Sequence, residues 1–520
     1  MTKNKVRNGV TRRRLLQTGT AAGALMIGLD GAPLRADAPK PGGKIRIGMA
    51  HGQTADSLDP GTYENGFMTC VGFCFNNYLT EVAPDGALVP ELAESWEASE
   101  DASSWTFKLV KANFHNGNPV TAKDVLASMN HHRGEDSQSA AKPILAPVKE
   151  ITAVGDDAVR FDLESGNADF PFILSDYHLP IMPANDDGTM DWKAGIGAGP
   201  MELKNFEPGV RAEFARFDGY WKGNVNLEGV ELLAIVDPVA RTNALMTGSV
   251  DVIDRVDLKT VALMKRNPNL VIASNAGTQH YTFPMRCNTA PFDDNNVRMA
   301  LKYGIKREEM LEKILQGYGS VGNDVPIGPN QRFFNKDLPQ RDFDPDKSKY
   351  YLKQSGLDSV DVTLQTSEAA FAGATDAAQL FSASAAEGGV NITVKREPND
   401  GYWSNVWNKD PFCACYWGGR PVEDQMFSTA YETGVPWNDT AWSNARFDEL
   451  LVLARAELND DLRREMYYEM QEILHNDGGV IVPMFASYVT ARSKSVGVPE
   501  LTASNWSLDG YRFAERWWMA

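Results

Sequence analysis

Polar and apolar residues alternate over Lys44-Ile45-Arg46-Ile47, and the pattern runs on to Ala50, which predicts a strand over 44–50. Residues 105–111 (Trp-Thr-Phe-Lys-Leu-Val-Lys) predict another. Pro119-Val-Thr-Ala-Lys-Asp-Val starts a helix with Thr121 as its N-cap. Helical spacing over 241–246 ends at Gly248, ahead of a short strand over 250–253. After Pro291, helices and strands alternate more clearly. Amphipathic helices fall over 297–303 and 308–315, Asp344 reads as a helix N-cap, and a strand covers 360–365. A helix over 375–387 is closed by Gly388-Gly389, and a strand over 390–395 follows. A helix around Trp403 and Trp407 leads into an apolar strand over 412–417. Leu462, Met466, Met470, Ile473 and Leu474 mark one face of a long helix ended by Gly478-Gly479, before a strand over 480–484. Strands separated by helices predict parallel α/β sheets. The chain shows no internal repeat.

Composition narrows the class. The 520 residues are 43% hydrophobic, enough for two or more domains with real cores. With 12 Trp, 16 Tyr and 23 Phe, a disordered chain is excluded. Lys and Arg total 51 against 69 Asp and Glu, a net charge of −18. Residues 1–36 hold seven bases and, among acids, only Asp30, so the remainder carries 44 bases against 68 acids, a net −24. So acidic a body repels phosphate backbones and excludes nucleic acid as a partner.

The basic start reads as a secretory signal. Lys3, Lys5, Arg7 and the run Thr11-Arg12-Arg13-Arg14-Leu15-Leu16 precede an apolar stretch over 18–29 and a small-residue site at Ala36, where cleavage is expected. That stretch is shorter than the ~20 residues a membrane span needs. The paired arginines resemble a twin-arginine export signal, which makes that export machinery a partner. No cysteine follows the apolar region, so the expected product is periplasmic, soluble and not lipid-anchored.

Five cysteines remain: Cys70, Cys74, Cys287, Cys413 and Cys415. Cys413 and Cys415 point to one face of a buried strand and read first as structural thiols, ahead of a disulfide or a metal site. The seven histidines form no ligand-spaced cluster, and HExxH, CxxC, GxSxG and P-loop patterns are absent. Gly195-Ile-Gly197-Ala-Gly199 is a tight turn and not a dinucleotide fingerprint. Nothing in the sequence nominates a cofactor.

Several collinear segments carry a resemblance. They are Gly43-Lys-Ile-Arg-Ile-Gly with Ser57-Leu-Asp-Pro60, Pro84-Asp-Gly-Ala-Leu-Val-Pro-Glu-Leu-Ala-Glu-Ser-Trp-Glu97, and Phe114-His-Asn-Gly-Asn-Pro-Val-Thr-Ala-Lys-Asp-Val125. Gly199-Pro200, Asp218-Gly-Tyr-Trp221, Cys287-Asn-Thr-Ala-Pro-Phe-Asp-Asp294 and Phe343-Asp-Pro-Asp-Lys347 continue the series. Together they resemble the extracytoplasmic solute-binding proteins of ABC importers, in the peptide/nickel/opine family called family 5.

The resemblance implies an α/β, two-lobed periplasmic-binding-protein fold of the class II type. Lobe I maps to 37–285 plus 486–520, with an extra subdomain over 78–222, and lobe II to 290–485. Crossing segments are expected at 281–289, around Asn288, and at 483–487. The implied function is a monomer that captures a small-molecule solute and delivers it to the membrane permease, with no covalent chemistry. A periplasmic hydrolase, or a chaperone-like module on the same scaffold, would share the export signal. Turnover of candidate substrates separates the first, and a stoichiometric co-purifying small molecule argues against the second. Within the family, unmodified peptide and chelated metal are alternative ligands.

The sharpest feature is Trp417-Gly418-Gly419-Arg420. Strand ends in α/β proteins border ligand clefts. The peptide-binding relatives that this segment resembles have an Asp at the position of Arg420, which holds the peptide's amino group. A guanidinium there suits a carboxylate, sulfonate or phosphate instead. Trp417, Tyr416, Trp437 and Trp442 are expected as apolar walls, and Trp403 and Trp407 as core. Thr54, Ser367, Phe371, Asn288 and Gly419 complete the expected pocket. The competing reading pairs Arg420 with Glu423 or Asp424, away from the ligand.

Replacing Arg12 and Arg13 with Lys is expected to stop export by the twin-arginine route, read as loss of the processed periplasmic species. Continued export through the general secretory route would contradict the reading.

Overall fold

The computed structural model describes residues 39–520 apart from 224, 400 and 421. The export signal read from residues 1–36 lies outside the described residues.

Strand Lys44–Met49 forms where the alternation expects it, with Ile45, Ile47 and Met49 fully buried. It pairs in parallel with Gly229–Ala234 on one side and Val252–Ile253 on the other. Around this centre a seven-stranded sheet runs in the order Leu270–Asn275, Tyr488–Ser493, Val252–Ile253, Lys44–Met49, Gly229–Ala234, Arg211–Arg216, Met201–Glu207. Its remaining pairings are antiparallel.

Inserted between the strands of this sheet is a second, antiparallel sheet of four strands between Ala93 and Leu163, covered by helix Ala122–His131. The helix opens with a capping box in which Asp124 accepts from the Thr121 N–H at 2.8 Å. This unit has its own core, running from Leu79 to Ala198. Strands Met201–Glu207 and Arg211–Arg216 belong to the seven-stranded sheet, so the insertion ends earlier than the expected residue 222.

The remaining chain builds a four-stranded antiparallel sheet in the order Gly319–Val321, Val480–Ala486, His280–Pro284, Cys415–Trp417. Among the described residues, Val360–Thr366 and Val390–Arg396 are the directly paired parallel strands joined through a single helix, Ala374–Ala386, as the sequence predicts. The expectation of parallel sheets throughout is therefore corrected. Short turns join Met201–Glu207 to Arg211–Arg216, and a turn can join only antiparallel neighbours.

The chain passes between the two large sheets at 276–279 and again at Ser487, and Ala486 N–H donates to Gln279 O at 2.8 Å, tying the crossings together. The expected crossing at 281–289 moves to the earlier loop. His280 already lies in the second sheet, and Asn288 is exposed beyond the end of that strand.

Helix Asp460–Asp477 buries Arg463, Tyr467, Met470, Gln471, Leu474 and His475, while Leu462 is exposed. The buried face is rotated from the predicted one because two polar residues anchor it. Arg463 pairs with Asp169 of the inserted unit, and Gln471 donates to Phe333 O at 2.7 Å.

Beneath the second sheet, Asp324 lies fully buried between Arg307 (2.7 Å) and Arg341 (2.5 Å). Burial alone would raise its pKa. The two guanidiniums, with Lys302, overcome that and hold it well below the usual carboxylate range. A depressed carboxylate stabilises the fold above its unfolded pKa of roughly 4, and that stability is lost as pH falls toward the folded value. Asp324→Asn is expected to cost about 3–5 kcal/mol in denaturant unfolding at pH 7, with a smaller gap to wild type at pH 3. An equal gap at both pH values would contradict the ion-pair account.

Candidate functional site

Strand Cys415–Trp417 pairs antiparallel with His280–Pro284, placing Tyr416 opposite Tyr281 and Trp417 opposite His280. The chain then turns at Gly418-Gly419 against the crossing loop. A Cβ on Gly419 would overlap the Thr278 hydroxyl, so the approach requires glycine. The turn delivers Arg420 to the junction of two chambers. The larger, of about 1020 Å³, and the smaller, of about 680 Å³, share Tyr177, Gly419, Arg420 and Trp506.

Arg420 makes no ion pair among the described residues. Its Nη1 donates only to the carbonyls of its own turn, Gly418 (3.2 Å) and Gly419 (3.4 Å). Glu423 is occupied elsewhere, accepting from Phe333 N–H at 2.7 Å, and Asp424 pairs with Arg455 at 2.9 Å. Burial pushes these carboxyls up to about 7 and about 6 despite those partners. Burial lowers the pKa of Arg420 as well, and the Tyr177 hydroxyl and Asp176 offset this in part. A part-buried cation with no carboxylate in contact among the described residues is poised for an anion.

The larger chamber has an aromatic wall on the second-sheet side. Trp403 and Tyr416 lie 5.6 Å apart between ring centroids, and Trp407 sits 6.1 Å from Trp417 and 6.2 Å from Trp437. Asp439 fixes the wall from behind by accepting from Trp407 Nε1 at 2.9 Å. Phe371 stacks on Tyr281 at 4.1 Å.

The expected residues Arg420, Trp417, Gly419, Tyr416 and Phe371 therefore line this chamber together, as does Trp437. Four others do not. Thr54 is exposed and lines neither chamber, and Asn288 is exposed with its amide oxygen accepting from Thr289 Oγ1. Ser367 is buried and donates to Asn399 at 2.7 Å. Trp442 is core, its Nε1 donating to Asp477 at 2.9 Å. The expectation that Trp403 and Trp407 are core is also corrected. Both line the chamber, and Trp403 is 39% exposed. Its neighbour Tyr402 is the buried one, with its hydroxyl donating to Ala414 O at 2.7 Å.

From the first-sheet side the chamber is walled by His51, Tyr177, Arg255 and Trp506, none of which the sequence pattern singled out. Burial, then Arg255 and Arg241, push His51 down to about 4, so it is neutral at pH 7. All five cysteines are free thiols, and among the described residues no group of three or more His, Cys, Asp or Glu could hold a metal ion. No helix among the described residues is long and apolar enough to cross a membrane.

The sequence model of the bacterial extracellular solute-binding proteins, family 5, matches residues 87–439. The chain belongs to this family. The dipeptide-binding protein of Escherichia coli (strain K12) is 25% identical over 443 residues, covering 76% of this chain and 80% of that protein. Heme-binding protein A of Haemophilus influenzae is 25% identical over 426 residues, covering 74% and 77%. The solved structure of HbpA2 from Haemophilus parasuis superposes with a TM-score of 0.80 at 20% identity, covering 90% of this chain and 99% of that one, a likeness of fold alone. The fold is this family's two-lobed α/β fold, and the chain crosses between its two large sheets at 276–279 and at Ser487.

Trp403→Ala is expected to weaken binding of the solute that co-purifies with the protein by roughly 10- to 100-fold, at unchanged melting temperature, as a contact aromatic does. Trp442→Phe is expected to lower the melting temperature and leave affinity alone. The reverse pattern in titration calorimetry and thermal unfolding would contradict this placement of the two tryptophans.

Proposed function

We propose that the protein captures, in the periplasm, a small solute bearing an anionic group and delivers it to the membrane permease of an ABC importer. The observation that carries the reading is Arg420, a guanidinium without a carboxylate partner where the two chambers meet. Its planar fork fits a carboxylate, sulfonate or phosphate, and it repels the ammonium of an unmodified peptide. The aromatic wall takes the apolar remainder of the solute. The protein does no covalent chemistry: the site binds and releases. Its route to the periplasm is the twin-arginine machinery, and it works there as a monomer without a lipid anchor.

Binding draws the lobes together about the crossings at 276–279 and Ser487. The solute contacts both lobes only when they are closed, so its affinity for that state sets the population shift. Native mass spectrometry of the protein as purified identifies the retained solute. Calorimetry with that solute is expected to show Arg420→Ala weakened by roughly two to three orders of magnitude, since breaking a buried ion pair costs about 3–5 kcal/mol. Unchanged affinity, or a purely cationic solute, would contradict the anionic reading and leave the family membership intact.

A further inference from the structure

Arg255 reaches the larger chamber from lobe I, opposite Arg420 on lobe II. It follows strand Val252–Ile253 and sits at φ +42°, a left-handed conformation that a non-glycine residue keeps only where its surroundings enforce it. What enforces it is Arg241. This buried guanidinium donates to four carbonyls around the turn: Ile235 (2.7 Å), Val236 (3.0 Å), Asp254 (3.2 Å) and Arg255 (2.9 Å). Asp254 is turned the other way, fully buried and accepting from Ala50 N–H at 2.7 Å.

The Arg255 side chain is left exposed, and among the described residues it makes no ion pair and no side-chain hydrogen bond. Neither Arg241 nor Arg255 is ion-paired among the described residues, although they share one turn. The buried Asp254 carboxylate acts on both guanidiniums and offsets part of their mutual repulsion, yet it touches neither, so the Arg255 fork stays open to an anion. Among the residues lining the chamber, Arg255 and Arg420 are the cations and Glu64 is the one carboxylate. In a chain of net charge −18, a chamber with cations entering from both sides concentrates positive potential where the solute sits.

We infer that Arg255 is a second anion contact, so that the solute carries two anionic groups, one met from each lobe, flanking an aromatic or apolar body that rests on the tryptophan wall. The inference rests on the proposed anionic solute and goes further by fixing the number of its charges and the residue that meets each. A dianion bridging the lobes binds the closed state better than the open one, whereas the single charge of a monoanion is met by Arg420 alone.

The test uses biphenyl monocarboxylate and the para,para-dicarboxylate as probes, titrated calorimetrically into wild type, Arg255→Ala, Arg255→Gln and Arg420→Ala, with melting curves confirming that each variant folds. Wild type is expected to prefer the dicarboxylate by about tenfold or more, the effect of one charged hydrogen-bonding contact. Both Arg255 variants are expected to abolish that preference with the monocarboxylate affinity unchanged, and Arg420→Ala to weaken both probes. No preference in wild type, or a preference that survives both Arg255 variants while Arg420→Ala still weakens binding, overturns the second contact and leaves the Arg420 reading standing. If neither probe binds wild type, or Arg420→Ala binds both as wild type does, the anionic reading itself fails and this inference with it.

Discussion

Gly419 and Thr278 approach so closely that no side chain fits between them, and the rest of the site depends on that contact. It presses the end of strand Cys415–Trp417 against the loop by which the chain first passes from one lobe to the other. With the turn pinned there, the hydrogen bonds of the Arg420 side chain among the described residues go to the carbonyls of Gly418 and Gly419. The two nearby carboxylates that sequence proximity would offer it are held by Phe333 N–H and Arg455. A partly desolvated guanidinium with no carboxylate in contact among the described residues carries a desolvation cost that an anion at its fork would offset.

A second long-range contact lies beside the Arg420 junction. Arg463 of lobe II reaches Asp169 of the inserted unit, both 2% exposed, and Ala168 N–H donates to Arg455 O at 2.7 Å. Asp169 and Glu423 line the smaller chamber, so this contact and the Arg420 junction share one wall. Separating the lobes here would strip a buried charge of its partner, which costs far more than parting two surface groups.

How much of this was legible in the sequence depended on whether the signal was local. The Thr121 cap, the Asp344 cap and the alternation in Lys44–Met49 each use a few neighbouring residues, and all three appear where expected. The buried face of helix Asp460–Asp477 was misread because Arg463 and Gln471 are buried through partners far along the chain, and a hydrophobic pattern assigns such residues to solvent. Strand direction was misread because hairpins such as Met201–Arg216 carry no helix to mark a crossover, so antiparallel pairing left no periodic trace. Trp417, Gly419 and Arg420 line the larger chamber, where the strand end and its glycines lead the sequence to expect them. Trp403 and Trp442 exchanged roles, because tryptophan spacing does not say which ring is packed and which faces a cavity. Arg255 was invisible: its position is set by a backbone angle that Arg241 enforces, and no propensity encodes that.

The most direct test of the account is a crystal structure of the protein with the solute it retains on purification. The account predicts an anionic oxygen of that solute within hydrogen-bond reach, about 2.7–2.9 Å, of the Arg420 guanidinium, with the solute's apolar part against Trp403 and Tyr416. A solute seated in the cleft with Arg420 turned away from it, or with an ammonium or neutral group at that position, would contradict the central claim.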